Sequence, residues 1–430
     1  MGARWGTRID KVLLCRSLAS LACAFNPLES DVACEIRAMT PSPKERPVDD
    51  MRDHAKGEGD LADWLRSDFR TARVLITGHT GFKGSWLCEW LLQLGCEVWG
   101  FSLPPPTNPA LFNQLGLAAR MHHCLGDVRD SGEVFRVMDA ARPDYVFHLA
   151  AQPLVREAYA DPAAAWSINT LGTVHVLEAL RRLKNTCACV VVTTDKVYGE
   201  LTTSREYTEG DPIAATDPYG SSKAAAELAV DAWRVSFFDR PHHHDGVVSD
   251  IGIATARAGN VIGGGDWAKG RLLPDCVRFL MAGAPIEIRN PHSIRPWQHV
   301  LEPLSGYLKL AAGLRSAQRS NDRSLLSRLS RPFNFGPHRA GHRPVREVVE
   351  LLLQSWPGSW TQSPDDHGPR EASALELDIT RANEVLGWKP RWTLADSIHR
   401  TVNWYRSAGT AAAALELTRQ DIAAYQSVRQ

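Results

Sequence analysis

Residues 73–94 read RVLITGHTGFKGSWLCEWLLQL. Val74, Leu75 and Ile76 form a short apolar, partly β-branched run, the pattern of a buried strand. Gly78, Gly81 and Gly84 follow at GxxGxxG spacing, and Trp86, Leu87, Trp90 and Leu91 then recur at helical intervals. Glycines so placed permit a sharp turn, close approach of backbone to a pyrophosphate and tight packing of helix on strand. Free amides at the helix start then face the negative charge. A bare three-glycine pattern also fits an ordinary loop. Here a second apolar run at 97–101 lies within the roughly thirty residues of a βαβ unit, which favours dinucleotide binding. Phe101 and Ser102 stand where an acid for the ribose hydroxyl is usual, so this turn leaves NAD and NADP both open.

Outward from this stretch, short apolar runs alternate with helical patterns. The proline-rich segment 102–112 is a loop at the carboxyl end of the sheet, where α/β proteins place ligands. Asp127 and Val128 follow a third strand; an acid there is placed either to meet a cofactor's adenine or to be a solvated turn residue. Residues 143–151 make a fourth strand with His148 packed inside it, and Ala150 and Ala151 leave room for a ligand at its exit. A helix over 166–183 and a fifth strand over 188–194 follow, and Asp195 and Lys196 should sit at the ligand edge. Alternation at this spacing predicts a doubly wound parallel sheet, Rossmann-like, with a smaller C-terminal α/β substrate lobe.

Asp217 and Pro218 read as N-cap and first residue of a helix, which puts Tyr219 and Lys223 on one face. A nearby ammonium favours phenolate, and a phenolate can take a hydroxyl proton while hydride leaves the same carbon. YxxxK alone is a frequent accident on an exposed helix. Behind a glycine-rich strand and a strand ending Thr-Thr-Asp-Lys, it reads as chemistry.

Composition bounds the alternatives. In 430 residues, Lys plus Arg and Asp plus Glu each total 49, so no global field points to nucleic acid or an anionic membrane. No apolar run reaches the roughly 18 residues of a membrane span, and the N-terminal candidate 12–25 is interrupted by Arg16. The nine cysteines include no CxxC; Cys187 and Cys189 read as small packed hydrophobes, which suits a reducing, cytoplasmic setting. Residues 242–244, three histidines in a polar stretch without an acid or cysteine at ligand spacing, read as a loop, and no metal site is expected. Residues 1–70 read as a disordered extension, with Met51 as an alternative start. We assign 71–255 to the dinucleotide domain and 256–430 mainly to the substrate lobe, with the Ser- and Arg-rich stretch 315–331 as a solvated insertion.

Six blocks carry a resemblance: TGHTGFKGSW at 77–86, HLAAQPLVR at 148–156, TTDKVYGE at 193–200, DPYGSSKAAAE at 217–227, ARAGNVIGGGDW at 256–267 and RPWQHVLEPLSGYL at 295–308. Over about 70–410 the chain resembles the extended short-chain dehydrogenase/reductases, and within them the CDP-glucose 4,6-dehydratase group. The resemblance implies bound NAD that is reduced and reoxidised in one turnover, CDP-glucose as substrate, a homo-oligomer (dimer or tetramer) and a place in deoxysugar and lipopolysaccharide O-antigen synthesis. By position it implies Gly78, Gly81, Phe82, Gly84, Asp127, Val128, Ala150, Tyr219 and Lys223 as cofactor contacts. Tyr219 resembles the base at the carbon-4 hydroxyl, Lys223 the residue that lowers its pKa, and Thr194 the hydroxyl that orients substrate. Asn260, Arg271, Arg295 and His299 match substrate-side positions, His299 with packing as an equal alternative.

Elimination at carbon 6 needs an acid at the leaving oxygen and a base at carbon 5, and Asp195 and Lys196 are the adjacent pair. Related dTDP-glucose enzymes resemble this site with Asp-Glu there. We assign Asp195 as acid; Lys196 acts either as a neutral base or as a cation beside the enolate. Two other readings share the cradle: a 4-epimerase or a dehydratase for another nucleotide sugar, and a catalytically silent dinucleotide sensor.

Overall fold

The computed structural model describes residues 61–199, 205–239, 242–244, 247–363 and 375–428. Seven strands form one sheet: β1 (Arg73–Thr77), β2 (Glu97–Ser102), β3 (His122–Leu125), β4 (Tyr145–His148), β5 (Cys187–Val192), β6 (Ile251–Ala258) and β7 (Phe333–Phe335). Their order is β7-β6-β5-β4-β1-β2-β3, and every neighbouring pair is parallel. The chain thus reverses direction across the sheet between β1 and β4, the crevice where open α/β sheets bind ligands.

Parallel strands buried on both faces need apolar side chains pointing both ways. Val74 and Ile76 of β1 enter one core and Leu75 the other; on β5, Ala188, Val190 and Val192 alternate likewise with Cys187, Cys189 and Val191. Both cysteines are the packed hydrophobes expected, and burial drives their thiol pKa values far up. Helices α1 (Leu61–Phe69), α2 (Phe82–Leu94) and α6 (Leu301–Arg319) line the first core, while α3 (Ser131–Ala141), α4 (Gly172–Arg182) and α5 (Pro218–Trp233) line the second. Two late helices, α7 (Leu394–Ser407) and α8 (Ala411–Ser427), also send residues into the first core. α7 starts from a capping box at Thr393 and Asp396.

Several expectations change here. The disordered extension falls mostly outside the described residues, but 61–69 is α1, with Leu65 and Phe69 fully buried. Its short amphipathic period is stabilised by packing against the first core, which a local reading does not see. The stretch 315–331 is not a solvated insertion. It completes α6 and adds a helix over Arg323–Leu329 that buries Leu325, Leu326 and Leu329. Three of its arginines, Arg315, Arg319 and Arg323, pair with Asp144, Asp68 and Asp250. The triple histidine is a strand, His242–His244, paired antiparallel with Val247–Ser249.

The substrate-side segment is not sequential with the sheet boundary: β7 and α6 come from beyond residue 255 yet complete the sheet and its first core. A separate small core of Ile262, Leu273, Ile286, Trp297, Val348 and Val402 supports the rest of that region. Two-stranded pairings tie it together, Ile294–Pro296 with His342–Pro344 and Val261–Ile262 with Gln298–His299.

Candidate active site

The site begins with the turn after β1. Gly78 has φ +78°, and a Cβ there would lie 2.6 Å from the Ala150 nitrogen. A Cβ on Gly84 would lie 2.2 Å from the Gly78 carbonyl oxygen, so this position holds helix against turn. Gly81 is the N-cap of α2 without any side-chain cap, and a Cβ there would meet only the Gly78 oxygen at 3.4 Å. The open side of the turn and the uncapped helix amides fit a pyrophosphate. Phe82 is the first residue of α2, half-buried, its ring facing Gly263.

A relay of hydrogen bonds fixes the opposite wall. Thr173 donates to the Asn169 carbonyl at 2.7 Å, so His148 Nε2, 3.0 Å away, donates to Thr173. His148 Nδ1 then accepts from the Thr77 hydroxyl at 2.7 Å, and Thr77 Oγ1 accepts from the Ala150 amide at 3.2 Å. Burial takes the His148 pKa down to about 3, so the ring is neutral, as the relay requires. His148 is therefore packed, and it pins Ala150 beside Gly78.

Thr194, Asp195 and Lys196 follow β5 directly. Thr194 donates to Asp195 Oδ1 at 3.0 Å and accepts from the Lys196 amide at 3.3 Å. Asp195 is 3% exposed, and its Oδ2 has no hydrogen-bond partner among the described residues. Burial raises the Asp195 pKa against the pull of Lys196, Thr194, Arg295 and Lys83. Gly259 is a steric necessity here, since a Cβ would lie 3.1 Å from Asp195 Oδ2 and 2.3 Å from Pro296.

Across from this turn, α5 starts as expected: Asp217 accepts from the Tyr219 and Gly220 amides at 3.0 Å, with Pro218 at the first position. Lys223 Nζ donates to the Val192 carbonyl at 2.9 Å, and burial lowers its pKa to about 8 against the pull of Glu227. Burial pushes Tyr219 up to about 12; a Thr194 hydrogen bond opposes this, Asp195 adds to it and Arg271 opposes it.

Beneath the site lies an ionic network. Glu227 accepts from Thr193 at 2.5 Å, Thr255 at 2.7 Å and Arg257 at 2.9 and 3.0 Å. Arg257 also donates to the Tyr198 hydroxyl, which donates to Asn334. With its buried charge fully satisfied, the network ties α5 to β5, β6 and β7.

Of the substrate-side residues, Arg271 is paired with Asp266 at 3.0 Å and acts electrostatically on Tyr219, while buried Arg295 acts on Asp195. Asn260 lies two residues past β6, half-buried. Three further expected contacts have these neighbours in the fold. The Asp127 carboxylate is held by Arg129 at 2.6 and 2.9 Å, which depresses its pKa. The Val128 side chain packs in the second core, and its carbonyl lies 2.8 Å from His175 Nδ1. His299 does not fit a substrate contact: it is 0% exposed, wedged edge-on between Trp86 and Trp392, and burial lowers its pKa to about 3.

Two residues escaped the reading of the sequence. Lys83 lies in the cradle, within electrostatic reach of Asp195, Arg271 and Lys223, and burial with these cations lowers its pKa to about 7. Its Nζ stands 6.0 Å from the ring of Tyr307, whose buried hydroxyl has no partner among the described residues. A lysine in the first turn of a helix opposes the helix dipole, and that anomaly was visible in GFKGSW. Tyr307 gave no comparable signal.

A CDP-glucose 4,6-dehydratase of Salmonella typhimurium is 42% identical over 357 residues, spanning 83% of this chain and 96% of the relative. A UDP-glucose 4-epimerase of Mycolicibacterium smegmatis is 26% identical over 78% of this chain and 99% of its own. Among solved structures, a dTDP-glucose 4,6-dehydratase of Streptomyces venezuelae with NAD and TYD bound superposes with TM-score 0.64 at 25% identity, over 78% of this chain and 97% of that one. Residues 74–322 match the NAD dependent epimerase/dehydratase model. A dinucleotide cradle, a Thr-Asp-Lys turn after the fifth strand and a Tyr-x-x-x-Lys helix, together with these likenesses, place the chain in the NAD dependent epimerase/dehydratase family.

Proposed function

We propose that the protein dehydrates CDP-D-glucose to CDP-4-dehydro-6-deoxy-D-glucose and water. The observation that carries this reading is Asp195: a buried carboxyl with raised proton affinity, one oxygen unpartnered, beside Thr194 in a chain 42% identical to a CDP-glucose 4,6-dehydratase. A simple 4-epimerisation needs no acid at carbon 6.

When bound in the glycine cradle, NAD supplies a hydride acceptor for carbon 4 and, later in the same turnover, the donor for carbon 6. Tyr219 takes the carbon-4 hydroxyl proton, and Thr194 orients that hydroxyl. Lys223, anchored to the Val192 carbonyl, would hold the cofactor ribose. The ketone acidifies the carbon-5 proton, and its removal drives loss of the carbon-6 hydroxyl, which Asp195 protonates to leave as water. Lys196 acts at carbon 5 as base or as the cation beside the enolate. Arg271 and Arg295 bind the diphosphate, for which a guanidinium fork is suited. We place this chemistry in the cytoplasm, in deoxysugar synthesis.

We further propose a homo-oligomer. Tyr159, Trp166 and Leu171 on one helical run, and Leu228 and Val235 on α5 and its continuation, are all about half exposed or more. Large apolar side chains gathered on two adjacent helices suit pairing with a second copy.

Incubation with NAD and CDP-, dTDP-, UDP- or GDP-glucose tests the assignment. Loss of water and the new carbon-6 methyl, followed by mass and NMR, should appear with CDP-glucose first. Preference for another nucleotide would overturn the substrate, and an epimerised hexose without water loss would overturn the reaction.

A further inference from the structure

We propose that Glu206, His342 and Glu376 bind one divalent transition-metal ion, Zn2+ in the first instance, which clips three distant segments of the chain together. One ligand atom from each residue lies within 4.8 Å of the others. His342 Nδ1 is 3.8 Å from Glu206 Oε1 and 4.0 Å from Glu376 Oε2, too far for hydrogen bonds.

The two carboxylates are brought together by backbone. The Tyr207 amide donates to the Glu376 carbonyl at 2.7 Å and the Asp378 amide to the Tyr207 carbonyl at 2.9 Å, a parallel bridge that sets Glu206 beside Glu376. Two carboxylates held side by side repel one another, and a cation between them relieves that repulsion.

The independent observation is His342. Its side chain is 3% exposed, and neither ring nitrogen has a hydrogen-bond partner among the described residues. A buried imidazole without any partner is rare, because each unsatisfied nitrogen costs desolvation with no return. Coordination of Nδ1 satisfies the nitrogen and neutralises both carboxylates at once.

The donor set names the class of ion. One imidazole with two carboxylates suits Zn2+, and by the same chemistry Co2+ or Mn2+, whereas Mg2+ and Ca2+ prefer oxygen alone. Tetrahedral Zn2+ with bonds of about 2.0 to 2.2 Å places its ligands about 3.4 Å apart, so the His342 gaps of 3.8 and 4.0 Å close by a fraction of an ångström, and the three ligand atoms, all within 4.8 Å of one another, need only side-chain movement to meet one ion. Three protein ligands leave a fourth position for water. His342 pairs across the strand with Pro296, next to Arg295, so the clip would steady the strand that carries a buried arginine of the proposed substrate site. The binding itself does not depend on that reading.

The test uses the full chain, stripped with a chelator and titrated with Co2+ and then Zn2+ in the absence of nucleotide sugar. We expect one Co2+ per chain, visible d–d bands of a nitrogen- and oxygen-ligated ion, no thiolate charge-transfer band, and a higher thermal midpoint with Zn2+. His342→Gln, and separately the double variant Glu206→Gln/Glu376→Gln, should lose affinity by more than the roughly 10- to 100-fold that follows when a group merely supporting a ligand is removed. No saturable uptake by the wild type, a thiolate band, or an equivalent retained in a folded double variant would each overturn the proposal. Should a variant fail to fold, the wild-type cobalt spectrum decides alone.

Discussion

Asp195→Asn separates catalysis from stability more sharply than any other change at this site. The carboxyl is 3% exposed, accepts from Thr194 through Oδ1 and leaves Oδ2 unpartnered. Asn keeps the shape and the Thr194 hydrogen bond but cannot deliver a proton to a leaving hydroxyl. Removal of a general acid costs roughly 10²- to 10⁴-fold, or about 3 to 5 kcal/mol in the barrier. Stability should move the other way. Burial raises the folded-state pKa of Asp195 above its ordinary 3.8, so the folded protein holds a proton that the unfolded chain has released. That contribution is present below the unfolded value and is lost as pH rises through the folded one. Above its folded-state pKa the ionised carboxylate is therefore a burden on the fold, and there neutral Asn should leave the thermal midpoint equal or higher. The assay is kcat for dehydration of CDP-glucose beside thermal unfolding across pH 5 to 9. In the wild type, dehydration should fall on the alkaline side as the acid is lost, and the variant should lose that limb. Near wild-type dehydration by a folded Asp195→Asn protein with Tyr219 intact would refute the acid assignment, and a rate loss matched by a fall in midpoint would reduce Asp195 to a structural part.

Tyr219→Phe should abolish oxidation at carbon 4 by a comparable factor, roughly 10²- to 10⁴-fold, with no transient NADH absorbance in a stopped-flow trace. For Lys196→Met, loss of solvent deuterium incorporation at carbon 5 would assign the base to Lys196, whereas retained exchange with slower turnover would assign it the cationic role. Phe69→Ala deletes a fully buried ring of α1 from the first core and should cost about 3 to 5 kcal/mol in a denaturant titration; an unchanged midpoint would mean that α1 is not part of the cooperative unit. Burial raises Glu302 to about 7, against hydrogen bonds from Tyr425 and the Trp392 and Arg391 amides. Its proton thus contributes stability that is complete below about pH 4.5 and disappears as pH rises through about 7, so Glu302→Gln should flatten the midpoint across that window.

What could be read from the sequence was local, and what escaped was brought together by the fold. The cradle, the cap at Asp217 and the Tyr219–Lys223 spacing each sit within one turn of chain, where glycine φ, capping and helical period are fixed by neighbours. The doubly wound parallel sheet followed from alternation, because strands and helices in turn leave few other architectures. Helix α1 and the arginines of 315–331 depend on surfaces far away in sequence: Arg319 meets Asp68 and Arg315 meets Asp144. His299 stood in a motif block, and only the packing of Trp86 and Trp392 shows it to be core. Glu206, His342 and Glu376 share no spacing that a motif could hold, so they left no trace before the chain was folded.

The same distinction explains how Tyr219 is tuned. A sequence offers the YxxxK pair as a self-contained device, a phenol with its own ammonium. In the folded chain the ammonium is bound to the Val192 carbonyl and the phenol stands at about 12, raised by burial and held back by Thr194 and Arg271. Thr194 comes from the turn after β5 and Arg271 from a segment some fifty residues past Tyr219, so the phenol is tuned from outside its own helix as well. Arg271 is also a proposed ligand of the diphosphate, and once its charge is shared with phosphate it pulls less on the phenol. Substrate binding on its own therefore moves Tyr219 in the unproductive direction, and the fall in pKa that catalysis requires has to come from positive charge brought to the ring when the dinucleotide and Lys223 are both in place. Lys223→Met should then retain CDP-glucose binding while its rate recovers with rising pH.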